Sequence, residues 1–392
     1  MAEKCLTTNY NGAKETTEAF LPLLQLSNSS RIVNVSSRAG QLENIANEWA
    51  KGVLNDAENL TEERIDEVLK EFIKDFKQGS LENKGWPTFL SAYRVSKAAL
   101  NSYTRIVAKK HPSMYAVVTG ANKGIGFETV KVLASNGIKV VLTARDEKRG
   151  HEAIERFREF GLSDLVIFHQ LDVTHSASIA SLVDFVKTQF GKLDILVNNA
   201  GINGVNLDEV EGSTIKWEEL TQTYEMVEKC LTTNYYGAKE TTKAFLPLLQ
   251  LSNSARIVNV SSRAGQLVNI ANEWAKGVLD DVENLTEERI DEVLQEFIKD
   301  FKQGSLVNKG WPNFFLPAYM VSKAALNSYT RIVAKKHPNM CINSVCPGFV
   351  KTDINRNTGI FSLDQGAANV VRYALLPHGS PSGLFFIKQE LT

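Results

Sequence analysis

The chain has 392 residues, of which 43% are hydrophobic and 23% charged, and its 44 basic and 45 acidic side chains nearly cancel. This balance gives no electrostatic reason to expect nucleic acid or an anionic membrane as a partner. No apolar run approaches the roughly 18 residues of a membrane span, and the first residues lack the apolar segment of a secretory signal. The cysteines are too few and too scattered for a disulfide framework or a zinc site; they are Cys5, Cys230, Cys341 and Cys346. We expect a soluble cytoplasmic protein without a bound metal.

A long stretch of the chain occurs twice. Residues 3–89 match residues 228–314 without a gap and differ only at positions 11, 18, 30, 43, 55, 57, 70, 82 and 88. Residues 92–112 then match residues 318–338 with a single change, Arg94 in place of Met320. Two long copies do not make a solenoid, which needs many short repeats. The pattern indicates a partial tandem duplication.

The two copies diverge abruptly where the shared sequence ends. Met340 leads into Cys341, whereas Met114 leads into unrelated sequence from Tyr115 onward. No linker rich in Gly, Ser or Pro separates the parts, as two independently evolved domains would usually have. We expect a truncated segment over 1–114 joined to a complete unit over 115–392. A recent fusion of neighbouring copies and an error in the gene model both explain the join.

From residue 115 onward, short apolar runs alternate with amphipathic segments of helical length. The predicted strands are 115–118, 139–143, 165–170, 193–198, 256–260, 342–345 and 383–386, and the predicted helices include 127–135, 148–159 and 178–189. Several strands are almost continuous Val, Ile and Leu, which is typical of a parallel sheet covered on both faces. The alternation predicts an α/β protein with a doubly wound, parallel, seven-stranded sheet, preceded by a partial duplicate of its own C-terminal half.

A glycine-rich loop follows the first predicted strand and opens a helix. Its spacing over 120–126 is Gly-x-x-x-Gly-x-Gly. Glycines there allow a tight turn and a close approach to a pyrophosphate at the positive helix N-terminus. An ordinary turn is the alternative, but the position between a buried strand and an apolar helix favours a phosphate loop. The candidate cofactor residues in it are Gly120, Asn122, Lys123, Gly124, Ile125 and Gly126.

Basic residues replace the acidic residue that an NAD site would place after the second strand. That strand runs into Arg145, with Arg149 one turn later and Lys123 in the glycine loop. Three converging cations suit the 2′-phosphate of NADP(H), which guanidinium groups bind in forked geometry. The alternative is a set of solvated surface charges, with Asp146 neutralising Arg145. The pattern favours NADP(H).

A phenol and an amine lie four residues apart on one face of a predicted helix, at Tyr319 and Lys323. A nearby cation should lower the pKa of Tyr319 towards the working pH and make it a usable acid or base. Lys323 can also donate to the nicotinamide ribose. Ser262 can hold a substrate oxygen against Tyr319, and Asn234 can bind a water that carries the proton out through Lys323. Such a Tyr–Lys pair alone is usually structural, so its weight comes from the neighbouring motifs.

The motifs of the complete unit resemble the short-chain dehydrogenase/reductase family over essentially all of 115–392. In chain order they are the glycine loop, Asn198-Asn199-Ala200-Gly201, Asn234, Ser262, Tyr319 with Lys323, and Pro347-Gly348. The resemblance implies a Rossmann fold, an NAD(P)(H) cofactor and hydride transfer between the nicotinamide and a carbonyl or carbinol carbon. By the family pattern the further cofactor residues are Asp172, Val173, Asn199, Ala200, Gly201, Pro347, Gly348, Val350 and Thr352.

An extra segment separates Ser262 from Tyr319. Within it, apolar residues at helical spacing predict an amphipathic helix, capped by Thr286 and followed by Gly304; they are Ile290, Val293, Leu294, Phe297, Ile298 and Phe301. The insertion resembles the carbonyl-reductase branch of the family, in which such a helix covers the association face and implies a monomer. The aromatic stretch 311–315 serves either core packing or the substrate pocket. Residues 202–204 and the end of the insertion are expected to shape that pocket.

The leading segment repeats the catalytic residues without the cofactor motifs. Asn9, Ser37, Tyr93 and Lys97 occupy the matching positions, but the glycine loop has no counterpart. Without a hydride donor we expect this copy to be inert. Three of its changes introduce charge, at Glu43, Glu82 and Arg94, which would be costly if the matching positions are buried. A strand predicted at 31–35 would have no sheet of its own.

The leading functional hypothesis is an NADPH-dependent reductase of ketones or aldehydes, with a monocyclic terpenoid ketone such as menthone as the substrate class. The alternatives are a non-catalytic NADPH-binding or regulatory protein whose pocket the duplicated segment blocks, and a fusion product that never accumulates as written. The intact Asn, Ser, Tyr and Lys set favours the enzyme. The reaction direction does not follow from the residues, because one acid/base group serves both directions.

Overall fold

The computed structural model describes residues 2–24, 32–56, 59–110, 114–207, 220–313 and 316–387. Two compact units divide the chain, an N-terminal unit over 1–113 and a C-terminal unit over 114–392. In the described ranges, no helix is both long enough and apolar enough to cross a lipid bilayer.

The N-terminal unit is built from helices around a small apolar core. The helices are α1 (Ala2–Leu6), α2 (Gly12–Leu24), α3 (Glu48–Asn55), α4 (Glu62–Lys77) and α5 (Ser91–Lys110). Tyr10, Phe72 and Trp86 are buried among them. The predicted strand 31–35 does not form: Arg31 lies outside the described residues, and 32–35 carry no regular structure. The reason is that strand hydrogen bonds need a neighbouring strand.

The C-terminal unit contains one parallel sheet of seven strands. They are β1 (Tyr115–Val118), β2 (Lys139–Ala144), β3 (Val166–Gln170), β4 (Ile195–Asn198), β5 (Arg256–Val260), β6 (Cys341–Cys346) and β7 (Phe385–Ile387). Their order is β3-β2-β1-β4-β5-β6-β7, and every neighbouring pair is parallel. This confirms the predicted α/β sheet, with strand ends shifted by one or two residues. The order reverses between β1 and β4, where such sheets open a crevice at their carboxyl edge.

Helices cover both faces of this sheet. They are α6 (Gly124–Ser135), α7 (Glu147–Arg158), α8 (Ser176–Phe190), α9 (Tyr224–Leu231), α10 (Gly237–Leu249), α11 (Glu273–Asp280), α12 (Glu287–Lys302), α13 (Pro317–Lys336) and α14 (Leu363–Ala374). One core lies under α6, α7 and α14, and the other under α8, α9, α10, α12 and α13. Helix α6 begins three residues before its predicted start because the end of the glycine loop forms its first turn.

The predicted amphipathic helix of the insertion is α12. The Thr286 hydroxyl accepts a hydrogen bond from the Arg289 backbone N–H, and Gly304 follows with φ +66°. Trp311 is 3% exposed, packs edge-on against Phe297 at 5.3 Å and donates to Asp300 Oδ2 at 2.8 Å. Trp311 therefore serves core packing rather than the pocket; Phe314 and Phe315 lie outside the described residues.

The charged substitutions of the N-terminal copy fall mostly where charge is tolerated. Val268 and Val307, the counterparts of Glu43 and Glu82, are 78% and 64% exposed, so those two changes carry no burial cost. Met320, the counterpart of Arg94, is 2% exposed. In its own unit Arg94 lies over the Phe89 ring at 5.7 Å, yet its Nε is buried without a hydrogen-bond partner. Only this third change carries the expected penalty.

The N-terminal unit exposes side chains whose counterparts are buried in strand β5 of the sheet. Val33 and Val35 are 84% and 79% exposed, against 1% and 7% for Val258 and Val260. Apolar residues in an unpaired extended segment favour association.

We therefore expect Val33→Lys with Val35→Lys to reduce self-association of the full chain in size-exclusion chromatography while leaving its thermal unfolding unchanged. Lysine at Val258 and Val260, in contrast, should abolish soluble protein, because each ammonium group would be buried without a partner. Unchanged association in the first double variant would contradict the expectation.

Candidate active site

A cleft of about 1260 Å³ opens at the carboxyl edge of the sheet, where the strand order reverses between β1 and β4. Every predicted catalytic and cofactor residue lines it except Asn234, which is 1% exposed and lies behind its wall. The cleft thus brings together residues from the glycine loop, from the ends of β2, β4 and β5, from helix α13 and from the segment after β6. In the described part of the chain, no cluster of His, Cys, Asp and Glu has the arrangement of a metal site.

The glycine loop needs its glycines for conformation and for space. Gly120 and Gly124 have φ of +62° and +63°, a region that favours glycine. A Cβ at Gly120 would lie 2.9 Å from the Cα of Ala200, and one at Gly126 would lie 2.5 Å from Nδ2 of Asn199. The loop therefore packs tightly on the end of β4 and leaves its backbone facing the cleft. This arrangement suits a pyrophosphate at the N-terminus of α6.

Two side chains bind the glycine loop to the end of β4. The Asn199 amide donates to the carbonyls of Thr119 and Gly120 at 2.9 and 3.0 Å. The Thr119 hydroxyl accepts from the backbone N–H groups of Asn199 and Ala200, both at 2.9 Å. These bonds assign Asn199 a positioning part in the cradle. Sequence reasoning missed the part of Thr119, although its place between the strand and the first glycine was a usable signal.

The three predicted cations lie along one end of the cleft, but their partners differ. Asp146 caps α7 by accepting from the Arg149 backbone N–H at 2.9 Å, and its carboxylate is 4.0 Å from the Arg149 guanidinium. Arg145 is exposed at the end of β2. Lys123 Nζ lies 2.6 Å from Oδ2 of Asp353, a residue that sequence reasoning did not single out. The contact joins residues 230 positions apart, so only the folded chain reveals it.

Helix α13 carries Tyr319 and Lys323 into the cleft beside the end of β5. Lys323 Nζ donates to the Val260 carbonyl at 2.8 Å and lies 5.7 Å from the Tyr319 ring centroid. Ser262, two residues after that carbonyl, accepts from the Ala264 backbone N–H at 3.2 Å and is within hydrogen-bonding reach of Tyr319. The structure therefore brings together three of the four predicted catalytic side chains at the cleft wall.

The pKa values of this pair shift in directions set by burial. Burial raises the pKa of Tyr319 above its ordinary value of 10, and the hydrogen bond with Ser262 opposes this only in part. Burial also lowers the pKa of Lys323 to about 8. The expectation that Lys323 would lower the pKa of Tyr319 is therefore wrong for this structure, because burial of the phenol has the larger effect. The phenol is held in its protonated form, as a proton donor requires.

Asn234 lies in a π-helical turn, Thr232–Tyr236, between α9 and α10. Its Oδ1 accepts from the Ile202 backbone N–H at 2.8 Å, and its Nδ2 faces the Ile202 carbonyl at 2.9 Å and Ser322 Oγ at 3.0 Å. The side chain thus clamps the segment that follows Gly201, and a Cβ at Gly201 would lie 3.5 Å from Lys323 Nζ. These contacts make Asn234 a positioning residue; its water-relay role stays a prediction.

The segment after β6 closes the other wall of the cleft. Gly348 has φ +94°, and a Cβ there would lie 2.7 Å from the Phe361 ring. Thr352 and Asn355 cap each other's backbone reciprocally. The predicted pocket residues 202–204 line the cleft here together with Leu316, at the end of the insertion. Met226 and Phe349 also line it and were missed, because nothing in their local sequence marks them.

The N-terminal unit repeats part of this local geometry, although its sequence lacks the glycine loop and the other cofactor motifs that line the cleft. Lys97 Nζ donates to the Val35 carbonyl at 2.8 Å and lies 5.8 Å from the Tyr93 ring centroid. The Ser37 hydroxyl accepts from the Ala39 backbone N–H at 3.1 Å, as Ser262 does from Ala264. In that unit, however, the bond of Lys97 is exposed to solvent, whereas that of Lys323 is buried.

The profile of the family described as short chain dehydrogenase matches residues 114–273. A (+)-neomenthol dehydrogenase of Arabidopsis thaliana is 58% identical over 290 residues, which cover 71% of this chain and 97% of that protein. The chain belongs to the short-chain dehydrogenase/reductase family. Its members transfer hydride through a nicotinamide cofactor, and this chain is an oxidoreductase of carbonyl and alcohol groups.

Two further relatives place the chain in the same part of the family. The structure of salutaridine reductase from Papaver somniferum aligns with a TM-score of 0.66 and 50% identity, covering 70% of this chain and 99% of that one. Carbonyl reductase [NADPH] 1 of Rattus norvegicus is 37% identical over 281 residues, covering 69% of this chain and 94% of that protein.

The close packing of the glycine loop against Asn199 can be tested by substitution. Gly126→Ala would place a methyl group 2.5 Å from Asn199 Nδ2 and 2.9 Å from backbone atoms, so we expect it to lower the free energy of unfolding by about 1–3 kcal/mol and to weaken dinucleotide binding. Gly277→Ala is the control, because nothing lies within 4 Å of the added carbon. Thermal unfolding and fluorescence titration measure the two effects, and equal behaviour of the variants would contradict the packing argument.

Proposed function

We propose that the protein is an NADPH-dependent carbonyl reductase of the short-chain dehydrogenase/reductase family, with Tyr319 as the proton donor. The observation that carries the proposal is the meeting of Tyr319, Ser262 and Lys323 at the wall of a cleft that also holds the glycine loop. A bound dinucleotide supplies the hydride.

Tyr319 and Ser262 have complementary roles in this proposal. Both hydroxyls face the space where a substrate carbonyl oxygen would lie, so they can hold it by two hydrogen bonds and stabilise the charge that develops on it. A phenol is protonated at neutral pH even at its ordinary pKa of about 10, and burial raises the pKa of Tyr319 further, so its proton passes to that oxygen as negative charge develops there. Lys323 fixes the helix against the Val260 carbonyl and can return a proton to the phenolate.

The charge at the end of β2 supports NADP(H) as the cofactor. Arg145 stands where an NAD site would need a carboxylate, and Lys123 and Arg149 line the same end of the cleft. The rat relative carries NADPH in its name. We propose that Arg145 and Lys123 bind the 2′-phosphate, with Arg149 contributing charge.

The lining beyond Tyr319 supports an apolar ketone as substrate. The apolar side chains of Ile202, Met226, Leu316 and Phe349 line the cleft. Two relatives are named for terpenoid chemistry, the neomenthol dehydrogenase and a menthone neomenthol reductase from Mentha piperita. A monocyclic terpenoid ketone such as menthone fits a pocket of this character. Helix α12 buries its apolar face within its own unit, which supports a monomeric complete unit.

We propose that the N-terminal unit takes no part in catalysis. Lys97 and Ser37 keep the backbone contacts of Lys323 and Ser262, yet the sequence of this unit lacks the glycine loop, the Asn-Asn-Ala-Gly strand end and the Pro-Gly segment. A proton donor without a hydride donor beside it cannot reduce a carbonyl.

The duplication provides a matched control for the catalytic tyrosine. Tyr319→Phe in the full chain should lower kcat for menthone reduction by at least 100-fold while retaining NADPH binding, because only the hydroxyl is lost. Tyr93→Phe, the same change in the same local sequence, should leave kcat unchanged. Absorbance of NADPH measures both. Full activity of the Tyr319 variant would refute the mechanism, and tight NADPH binding without turnover on any ketone would favour a sensor.

Arg145→Ala should raise the Kd for NADPH by roughly 10-fold, in line with the loss of a charge-assisted contact, and change the Kd for NADH by less than twofold. The physical reason is that only NADPH carries the phosphate. Isothermal titration with the two cofactors measures the ratio. A parallel loss of both affinities would show that Arg145 supports the fold instead.

A further inference from the structure

The ion pair between Lys123 and Asp353 is not explained by the needs of the fold. Lys123 lies within the glycine loop, directly before α6, and Asp353 follows Thr352 in the segment after β6, with Nζ and Oδ2 2.6 Å apart. The side chains are 55% and 63% exposed. An ion pair this exposed adds little to stability, so its position relative to the cofactor site is the more informative property.

The pair stands between two cavities. Both residues line the cofactor cleft, and both line a second cavity of about 390 Å³ beside it, together with Arg149, Arg156 and Glu152. Three cations line that second space beside the carboxylates of Glu152 and Asp353, and cations of this kind can bind an anionic group. Asp353 brings a carboxylate into this positive region and places it on the cation nearest the glycine loop.

Two other carboxylates of the cleft accept hydrogen bonds from neutral donors and lie farther from basic side chains, Asp146 at 4.0 Å from Arg149 and Asp172 at 3.3 Å from His175. Asp146 accepts from the backbone N–H at the start of α7. Asp172 accepts from the backbone N–H and hydroxyl of Thr174 at 2.9 and 2.7 Å. Asp353 instead contacts the side chain of a cation that the proposed function assigns to the 2′-phosphate. Its contact of 2.6 Å is closer than the 4.0 Å between Asp146 and Arg149, so Asp353 is the better placed of the two to compete with the cofactor.

We propose that Asp353 is a specificity-determining residue that occupies Lys123 until the 2′-phosphate of NADPH displaces it, an inference that rests on the proposed NADPH dependence. A phosphate gains less from a lysine that is already paired than from one that is not. Asp353 thus reduces the advantage of NADPH over NADH, because NADH has no group at that position to claim Lys123. The exchange frees the Asp353 carboxylate to solvent.

The surrounding segment does not depend on this ion pair for its shape. Thr352 and Asn355 cap each other, Asn355 Nδ2 donates to the Val350 carbonyl at 2.9 Å, and Asn203 Nδ2 donates to the Ile354 carbonyl at 2.8 Å. Asp353→Asn keeps the size of the side chain and removes only its charge. The variant therefore tests the competition without dismantling the cleft wall.

The test measures the Kd for NADPH and for NADH in the full chain carrying Asp353→Asn, Lys123→Met or both. Asp353→Asn is expected to tighten NADPH binding by about two- to fivefold. The fold-change in the Kd for NADH should be less than half of the fold-change in the Kd for NADPH. In the Lys123→Met background the same substitution should have no effect on NADPH. Glu152→Gln removes one negative charge from the second cavity without touching Lys123, and should leave the ratio of the two affinities as it is.

Weaker NADPH binding in Asp353→Asn would overturn the inference, because Asp353 would then hold Lys123 in place for the phosphate. Equal tightening of both cofactors, or tightening that persists without Lys123, would also overturn it in favour of general repulsion. Failure of the proposed function looks different: the unaltered protein would show no preference for NADPH, and Lys123→Met would leave the ratio of affinities unchanged.

Discussion

The hydrogen bond from Lys323 to the Val260 carbonyl determines how the catalytic side chains meet. It ties α13 to the end of β5, and Gly265 allows the close approach because a Cβ there would lie 2.6 Å from the Lys323 backbone. With the helix so placed, Tyr319 faces Ser262 across the cleft wall. The rest of the sheet positions the glycine loop beside them by the parallel pairing of β1 with β4 and of β4 with β5. The chemistry of this site therefore depends both on the hydrogen bond between Lys323 and Val260 and on the strand pairing that positions the glycine loop.

The duplicated sequence separates what a segment folds into by itself from what the sheet adds. Lys97 and Val35 form the same hydrogen bond as Lys323 and Val260. This contact therefore forms within the duplicated segment and does not require the sheet. The strand does require the sheet: residues 32–35, the counterparts of 257–260 in β5, have no regular structure. A helix satisfies its own backbone, whereas a strand needs neighbours to accept and donate its hydrogen bonds.

The ion pairs of the two copies show a related dependence on neighbours. Glu287 contacts Lys243 at 2.6 Å and Lys336 at 3.0 Å. In the N-terminal unit the counterpart of Lys243 is Glu18, whose pKa is raised by burial and by Glu62 beside it. The reversed charge removes one attraction and adds one repulsion. Lys14 and Lys110 still hold Glu62, so the surrounding helices keep their arrangement.

Residue pattern alone determined the alternation of buried strands and amphipathic helices, the glycine loop, the capped helix α12 and the Tyr319–Lys323 spacing, because each of these depends on residues close together in sequence. Only the tertiary structure decided that residues 32–35 form no strand, that Trp311 packs in the core and that burial raises the pKa of Tyr319. It also brought Asp353 to Lys123 across the whole length of the domain. Burial and long-range contacts are properties of the folded chain, and local sequence carries no direct record of them.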